Sequence, residues 1–270
     1  MALGRRYESY YGEIKEMRYT EEMFDIKGKV AVVTGAGGYL CSEIAIGLSK
    51  AGVKVAVLDI RIEKAQTVAD EIISLGGEAI ALAINVANKE QHIESFNAVL
   101  DKFGTVDILI NGAGTNCPTP FFEMSVDEWN GVMDSQITGT FLGCQVFGKH
   151  MVEKQSGSII NISSASAGPP LSKVFPYSVA KAGIKNLTQN LARDGVRVNA
   201  IRPGFLPTKW NQENFITTER EEAILGHTPM NRYGTPDELI GATIWLASNA
   251  SSFVTGAEIA IDGGFSCMTI

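Results

Sequence analysis

The chain of 270 residues has few of the groups that build metal centres or disulfide frameworks. It holds three histidines (His92, His150, His227) and four cysteines (Cys41, Cys117, Cys144, Cys267), all dispersed. No CxxC pair and no HExxH run occurs, so the common zinc spacings are excluded and no metal is expected. Scattered thiols suit a reducing cytoplasm better than a disulfide scaffold, so a cytoplasmic location is expected. Positive charge is also in deficit: 23 Lys and Arg stand against 30 Asp and Glu, a formal net of −7. That balance argues against nucleic acid as a partner and leaves a small molecule as the expected one. No apolar run reaches the roughly 18–20 residues of a membrane span, so no membrane partner is expected. The opening Met1-Ala-Leu-Gly-Arg-Arg leads into polar sequence and does not read as a signal peptide.

Residues 1–24 read as an N-terminal extension. Its tyrosines (Tyr7, Tyr10, Tyr11, Tyr19) either pack on the body or a neighbouring subunit, or belong to a partly disordered arm. Residues 25–270 read as one domain, without linker or internal repeat. Short β-branched runs at 29–34, 53–58, 79–83, 106–110, 158–162, 196–201 and 257–261 predict seven strands. Between them, amphipathic runs at 40–51, 62–75, 89–103, 125–153, 175–193 and 236–248 predict helices. This alternation predicts an α/β fold: a single Rossmann-type, doubly wound domain with a seven-stranded, mainly parallel sheet and helices on both faces. Ligands of such sheets sit beyond the carboxyl ends of the strands, and the long segment 203–235 is the expected substrate loop.

The loop Thr34-Gly35-Ala36-Gly37-Gly38-Tyr39-Leu40-Cys41 joins the first strand to the first helix. Glycine-turn amides and a helix N-terminus together make an anion site suited to a pyrophosphate, although a purely structural turn would also use glycine. Asp59 ends the second strand, where a carboxylate can accept hydrogen bonds from both hydroxyls of an adenosine ribose. Its charge would repel a 2′-phosphate, so NAD(H) is expected over NADP(H); Arg61, two residues on, could instead reach such a phosphate. Asn111-Gly112-Ala113-Gly114 ends the fourth strand, where backbone could approach a ribose closely. In the run Tyr177-Ser-Val-Ala-Lys181 a spacing of four stacks phenol and ammonium on one helical face. The positive charge is expected to pull the phenol towards the range of a general acid/base, with Ser164 nearby to hold a carbonyl oxygen.

In this order, these motifs resemble the classical short-chain dehydrogenase/reductase family, from about residue 25 to the C-terminus. Pro203-Gly204 and the ending Val254-Thr-Gly-Ala-Glu-Ile-Ala-Ile-Asp-Gly-Gly264 add to the resemblance. It implies Tyr177 as proton donor and acceptor, Ser164 as the group orienting the substrate oxygen, and Lys181 as support of Tyr177 and of the nicotinamide ribose. It also implies a dinucleotide lying along Gly35, Gly37, Gly38, Tyr39 and Leu40, then Asp59, with Asn85 or Val86 at the adenine. Asn111, Ala113 and Gly114 would line its middle, and Pro203, Gly204, Leu206 and Thr208 its nicotinamide end. Three departures stand out. Tyr39 and Cys41 replace the second and third glycines of the family loop. Gln136 stands where the family places an Asn that supports a relay to the lysine. The helix after Lys181 reaches Gly195 about one turn early. Family members usually form homotetramers, so a homo-oligomer (tetramer or dimer) is expected; Phe141, Val146 and Phe147 suit such an interface, and core packing explains them equally well.

Gly37-Gly-Tyr-Leu-Cys-Ser42, Val146-Phe-Gly-Lys-His-Met151 and His227-Thr-Pro-Met-Asn-Arg-Tyr-Gly234 look, within that family, most like its D-mannonate oxidoreductases (fructuronate reductases). The implied activity is NAD(H)-dependent interconversion of a secondary alcohol and a ketone on a sugar acid or sugar. Lys173, Lys209 and Arg232 are then candidate cations for a uronate carboxylate. Two alternatives stand beside it. One keeps the chemistry on another polyol, a gluconate-type acid or a 3-ketoacyl substrate. The other is a non-catalytic dinucleotide-binding sensor or scaffold.

Overall fold

The computed structural model describes residues 20–191, 195–208, 212–213 and 216–268. Most of the N-terminal extension and the candidate cation Lys209 thus lie outside the described residues. The seven strands are β1 (Val30–Thr34), β2 (Lys54–Asp59), β3 (Ala79–Ala83), β4 (Ile108–Asn111), β5 (Ser158–Ile162), β6 (Arg197–Pro203) and β7 (Glu258–Ile261). They form one sheet in the order β3-β2-β1-β4-β5-β6-β7, and every pair is parallel. β1 and β5 are buried along their whole length, as a sheet covered on both faces requires.

Two layers of helices supply the cover. On one face lie α1 (Tyr39–Lys50), α2 (Ile62–Ser74) and α8 (Ile240–Ala247), which meet the sheet through Ile44, Leu48, Ala65, Ile72 and Leu246. On the other lie α3 (Lys89–Phe103), the pair α4 (Val126–Met133) and α5 (Gly139–Glu153), and α6 (Phe175–Asn190). There Val99, Cys144, Phe147 and Met151 pack on Val30, Val32, Leu109 and Ile159. A further short helix, α7 (Thr218–Gly226), lies within the expected substrate loop.

Local chemistry sets the element ends. Asn88 caps α3 by accepting the Gln91 N–H at 3.1 Å, and Gly104 closes it in the left-handed region. Ser125 and Glu128 form a reciprocal capping box at the start of α4. Two expected helices differ from their sequence reading. The run 125–153 is continuous but holds a π-helical turn over Asp134–Thr138, between α4 and α5. The run 236–248 starts with a 3₁₀ turn, Pro236–Leu239. Of the residues readable either as interface or as core, Phe147 is fully buried core, whereas Phe141 on the same helix is 46% exposed.

Candidate active site

The right-handed crossovers bring the ends of β1, β2, β4, β5 and β6 to one edge of the sheet, and a cavity of about 570 Å³ opens there. Gly35, Gly38, Tyr39, Leu40 and Cys41 wall one side; Asp59, Asn85 and Val86 lie further along; Ala113, Gly114, Leu206 and Thr208 complete the other. Gly35 needs its missing side chain twice over. Its φ is +70°, and a Cβ there would lie 2.7 Å from the Ala113 Cα. Gly38 caps α1 in extended conformation, and no acidic residue in the first turn opposes the partial positive charge of the helix end. The departures at Tyr39 and Cys41 therefore leave the anion cradle formed: Tyr39 opens the helix, 45% exposed, and Cys41 turns inward.

Asp59 is buried and already engaged. One carboxylate oxygen accepts the Gly37 N–H at 3.1 Å, and the other accepts the Arg61 N–H at 3.0 Å. The Arg61 guanidinium forms an ion pair with it at 3.6 Å. A carboxylate oxygen can accept more than one hydrogen bond and Asp59 lines the cavity, so glycine turn, helix end and carboxylate together fit the pyrophosphate and ribose of a dinucleotide. Val86 is held by buried His92, whose Nε2 lies 2.8 Å from the Val86 carbonyl oxygen.

Ser164 ends the loop after β5, and its oxygen accepts the Ser166 N–H at 3.2 Å. Tyr177 and Lys181 sit on the first turns of α6, started by Pro176. Lys181 is buried and donates to the Ile162 carbonyl at 2.6 Å, and Ile162 itself lines the cavity. Its Nζ lies 5.3 Å from the Tyr177 ring centre. Burial pushes the Tyr177 phenol above its ordinary range, and the hydrogen bond with Ser164 opposes that rise. This reverses the expected lowering: the ammonium is committed to a carbonyl and faces the ring. Burial also lowers Lys181 to about 8, and it pushes the neighbouring Cys41 thiol up to about 12, so that Cys41 is neutral where the lysine titrates.

Gln136 sits inside the π turn, buried, and its Nε2 donates to the Thr115 carbonyl at 2.9 Å. The longer amide is accommodated by Gly114, where a Cβ would lie 2.2 Å from the Gln136 Cδ. Its Oε1 is buried with no protein partner. Gln136 and Lys181 share no hydrogen bond among the described residues. The neighbouring Ser135 accepts the Thr115 N–H at 3.2 Å, so two consecutive residues of the turn clip the loop after β4.

Six expected cofactor residues are placed otherwise than on the cavity wall: Tyr177 and Lys181, which adjoin it only through Ile162, and four more. Asn111 points its amide into the protein, donating to Asn161 Oδ1 at 2.9 Å, because Gly143 lets α5 approach it closely. Gly37 supports Asp59 from behind, and Pro203 and Gly204 end β6, where Gly204 donates to the Ile261 carbonyl at 3.0 Å. Sequence reasoning did not single out Ile60, Ile84, Thr115, Ser135 or Ile162 as wall residues. Of these, Ile60 and Ile84 follow strand ends and could have been found from strand position alone. Among the candidate cations, Arg232 is consumed by a two-pronged pair with Glu238 (2.9 and 2.6 Å). Lys173 is exposed, in the left-handed region at φ +65°. A cation not anticipated, Arg220 of α7, reaches across to Ser172 Oγ at 3.4 Å, on the loop that leads to Tyr177.

A parallel sheet with a glycine-rich first turn, an acidic second-strand end and a Ser-Tyr-Lys set defines a dinucleotide-dependent oxidoreductase type of site. Comparison with known proteins agrees: the family model described as enoyl-(acyl carrier protein) reductase matches residues 38–266, and the chain belongs to the short-chain dehydrogenase/reductase family. It is 42% identical over 266 residues to the uncharacterized oxidoreductase UxuB of Bacillus subtilis, covering 89% of this chain and 96% of that one. A solved structure from Haemophilus influenzae with bound NAD, provisionally named a D-mannonate oxidoreductase, is 40% identical. It matches with a TM-score of 0.86 over 91% of this chain and 97% of that one. A gluconate 5-dehydrogenase from Burkholderia cenocepacia, in complex with NADP and tartrate, is 30% identical with a TM-score of 0.88, covering 93% of this chain and 100% of the other.

Proposed function

We propose that this protein is an NAD(H)-dependent oxidoreductase that interconverts a secondary alcohol and a ketone on a sugar acid of the mannonate/fructuronate kind. The observation that carries the reading is the adjacency of Ser164, Tyr177 and Lys181 to a cavity built for a dinucleotide, joined to it through Ile162. A bound dinucleotide supplies or accepts the hydride. In the reductive direction Ser164 holds the carbonyl oxygen of the substrate and Tyr177 protonates it, while Lys181 offsets the charge left on the phenolate. In oxidation Tyr177 takes the hydroxyl proton. The raised phenol keeps Tyr177 protonated at neutral pH, the state that reduction needs.

Preference for NAD(H) is supported by the buried Asp59 and by the NAD held in the Haemophilus structure. Arg61 does not reverse it, because its guanidinium is paired with that same carboxylate. A sugar-acid substrate is supported by the names of both structural neighbours and by Arg220, a cation hydrogen-bonded to Ser172 on the loop that leads to Tyr177. A homo-oligomer, tetramer or dimer, is supported by exposed Phe141 and Val179 on α5 and α6. Four free cysteines support a cytoplasmic setting. No helix among the described residues is long and apolar enough to cross a membrane.

A screen of NADH and NADPH oxidation over ketouronates, ketogluconates, ketoses and acetoacetyl thioesters tests this reading. NADH-dependent reduction of a ketouronate is expected. A strong NADPH preference would overturn the role given to Asp59, and reduction of thioesters alone would overturn the sugar-acid assignment. NADH binding without turnover of any ketone would favour the sensor alternative.

A further inference from the structure

Glu258 opens β7, the edge strand next to β6, yet only 9% of its side chain is exposed. An edge position offers a carboxylate easy access to water, and withdrawing it from water costs free energy unless its partners are well placed. They are. Oε1 accepts the Ser163 hydroxyl at 2.6 Å, a short charge-assisted hydrogen bond. Oε2 lies 3.2 Å from Arg202 Nη1 and 3.7 Å from Lys185 Nζ.

Each partner comes from a different part of the site. Ser163 immediately precedes Ser164, and its own N–H donates to the Ile201 carbonyl at 2.8 Å, so backbone and hydroxyl are both pinned. Arg202 lies near the end of β6 and also acts electrostatically on Asp262 after β7. Lys185 follows Lys181 by one helical turn and Tyr177 by two, on the same face of α6. One carboxylate therefore joins the segment that carries Ser164 to the helix that carries Tyr177 and Lys181.

We propose that Glu258 is a positioning residue, a buried brace that sets the spacing between Ser164 and the Tyr177–Lys181 pair while touching neither substrate nor cofactor. This rests on the reading of those three residues as the reacting set. A buried ion pair is weak evidence of added stability, and a role in fixing geometry is the better-attested use. Proton transfer from Tyr177 to an oxygen held by Ser164 depends on distances that a shift of a fraction of an ångström upsets.

The test compares Glu258→Ala, Glu258→Gln, Ser163→Ala and the Glu258→Ala/Ser163→Ala double variant, with folding checked by thermal melting. Glu258→Ala should lower kcat about tenfold or more, with NADH affinity within about twofold of the unaltered protein. Glu258→Gln keeps an acceptor for Ser163 and should recover most of that loss. The double variant should be no slower than Glu258→Ala alone, since the brace acts through Ser163. A folded Glu258→Ala with kcat within about twofold of the unaltered protein overturns the proposal, as does a fall in melting temperature without a change in kcat. If the unaltered protein reduces no ketone, the dehydrogenase reading itself has failed. The brace is then judged by Tyr177 ionisation, read as an absorbance titration difference against Tyr177→Phe. Glu258→Ala should raise it by loosening the Ser164 hydrogen bond, and an unmoved titration overturns the brace.

Discussion

Lys181 gives up protonation for its buried position. Burial holds it at about 8 instead of its ordinary 10.5, so the folded protein binds fewer protons here than the unfolded polypeptide between those two values. Its contribution therefore lowers stability in full below pH 8 and is relieved as pH rises towards 10.5. Lys181→Met should accordingly raise the melting temperature at pH 7 by the equivalent of up to about 3 kcal/mol, less the lost hydrogen bond to Ile162. The gain should vanish near pH 10.5, and activity should fall at every pH. The reductive rate of the unaltered enzyme should decline as pH rises through about 8, where the ammonium that supports the phenolate is lost. Melting curves and rates across pH 6–11, a span about as wide as the lysine titration, check both outcomes.

The proximity of Tyr177 and Lys181, the proposed reacting pair, was legible in the sequence because the two share a helical face whatever the helix packs against. The direction of the Tyr177 shift was not. It is set by burial of the phenol, which depends on packing around α6, and the Lys181 ammonium that was expected to oppose it is held by the Ile162 carbonyl of another element, β5. The side chain of Asn111 was likewise not legible: its place at a strand end was readable, but the inward turn of its amide required Gly143 and Asn161 to be close.

At the level of elements, strands and helices followed from alternating apolar runs, since a sheet buried on both faces leaves its mark in every strand. The π turn over Asp134–Thr138 left no such mark, because inserting one residue into a helical turn changes the register of side chains but not the helical composition. Its consequence is the coupling of Gln136 to Gly114. Gly114→Ala would drive a methyl into the Gln136 amide, so we expect loss of the bond to Thr115, displacement of the loop after β4 and a drop in kcat of about tenfold or more. Combining Gly114→Ala with Gln136→Ala should restore fold stability without restoring turnover. Melting temperature and kcat measured on both variants decide the matter, and a fully active Gly114→Ala protein would contradict the coupling.

For the whole molecule, the sheet order explains why residues as distant as Gly35, Asp59, Ala113 and Leu206 share one cavity: each follows or ends a strand at the same edge. The family follows from that arrangement and from the relatives. The substrate assignment rests on side chains of exposed loops, where Arg232 is bound to Glu238 and Arg220 is a further candidate cation for a substrate carboxylate. The proposed mechanism depends on Tyr177 as the proton-transfer group beside a dinucleotide site. The most direct test is NADH oxidation with a ketouronate, compared between the unaltered protein and Tyr177→Phe, with NADH binding followed in both. Turnover by the unaltered protein, loss of it in Tyr177→Phe and equal NADH affinity are predicted. Undiminished turnover by Tyr177→Phe would contradict that role.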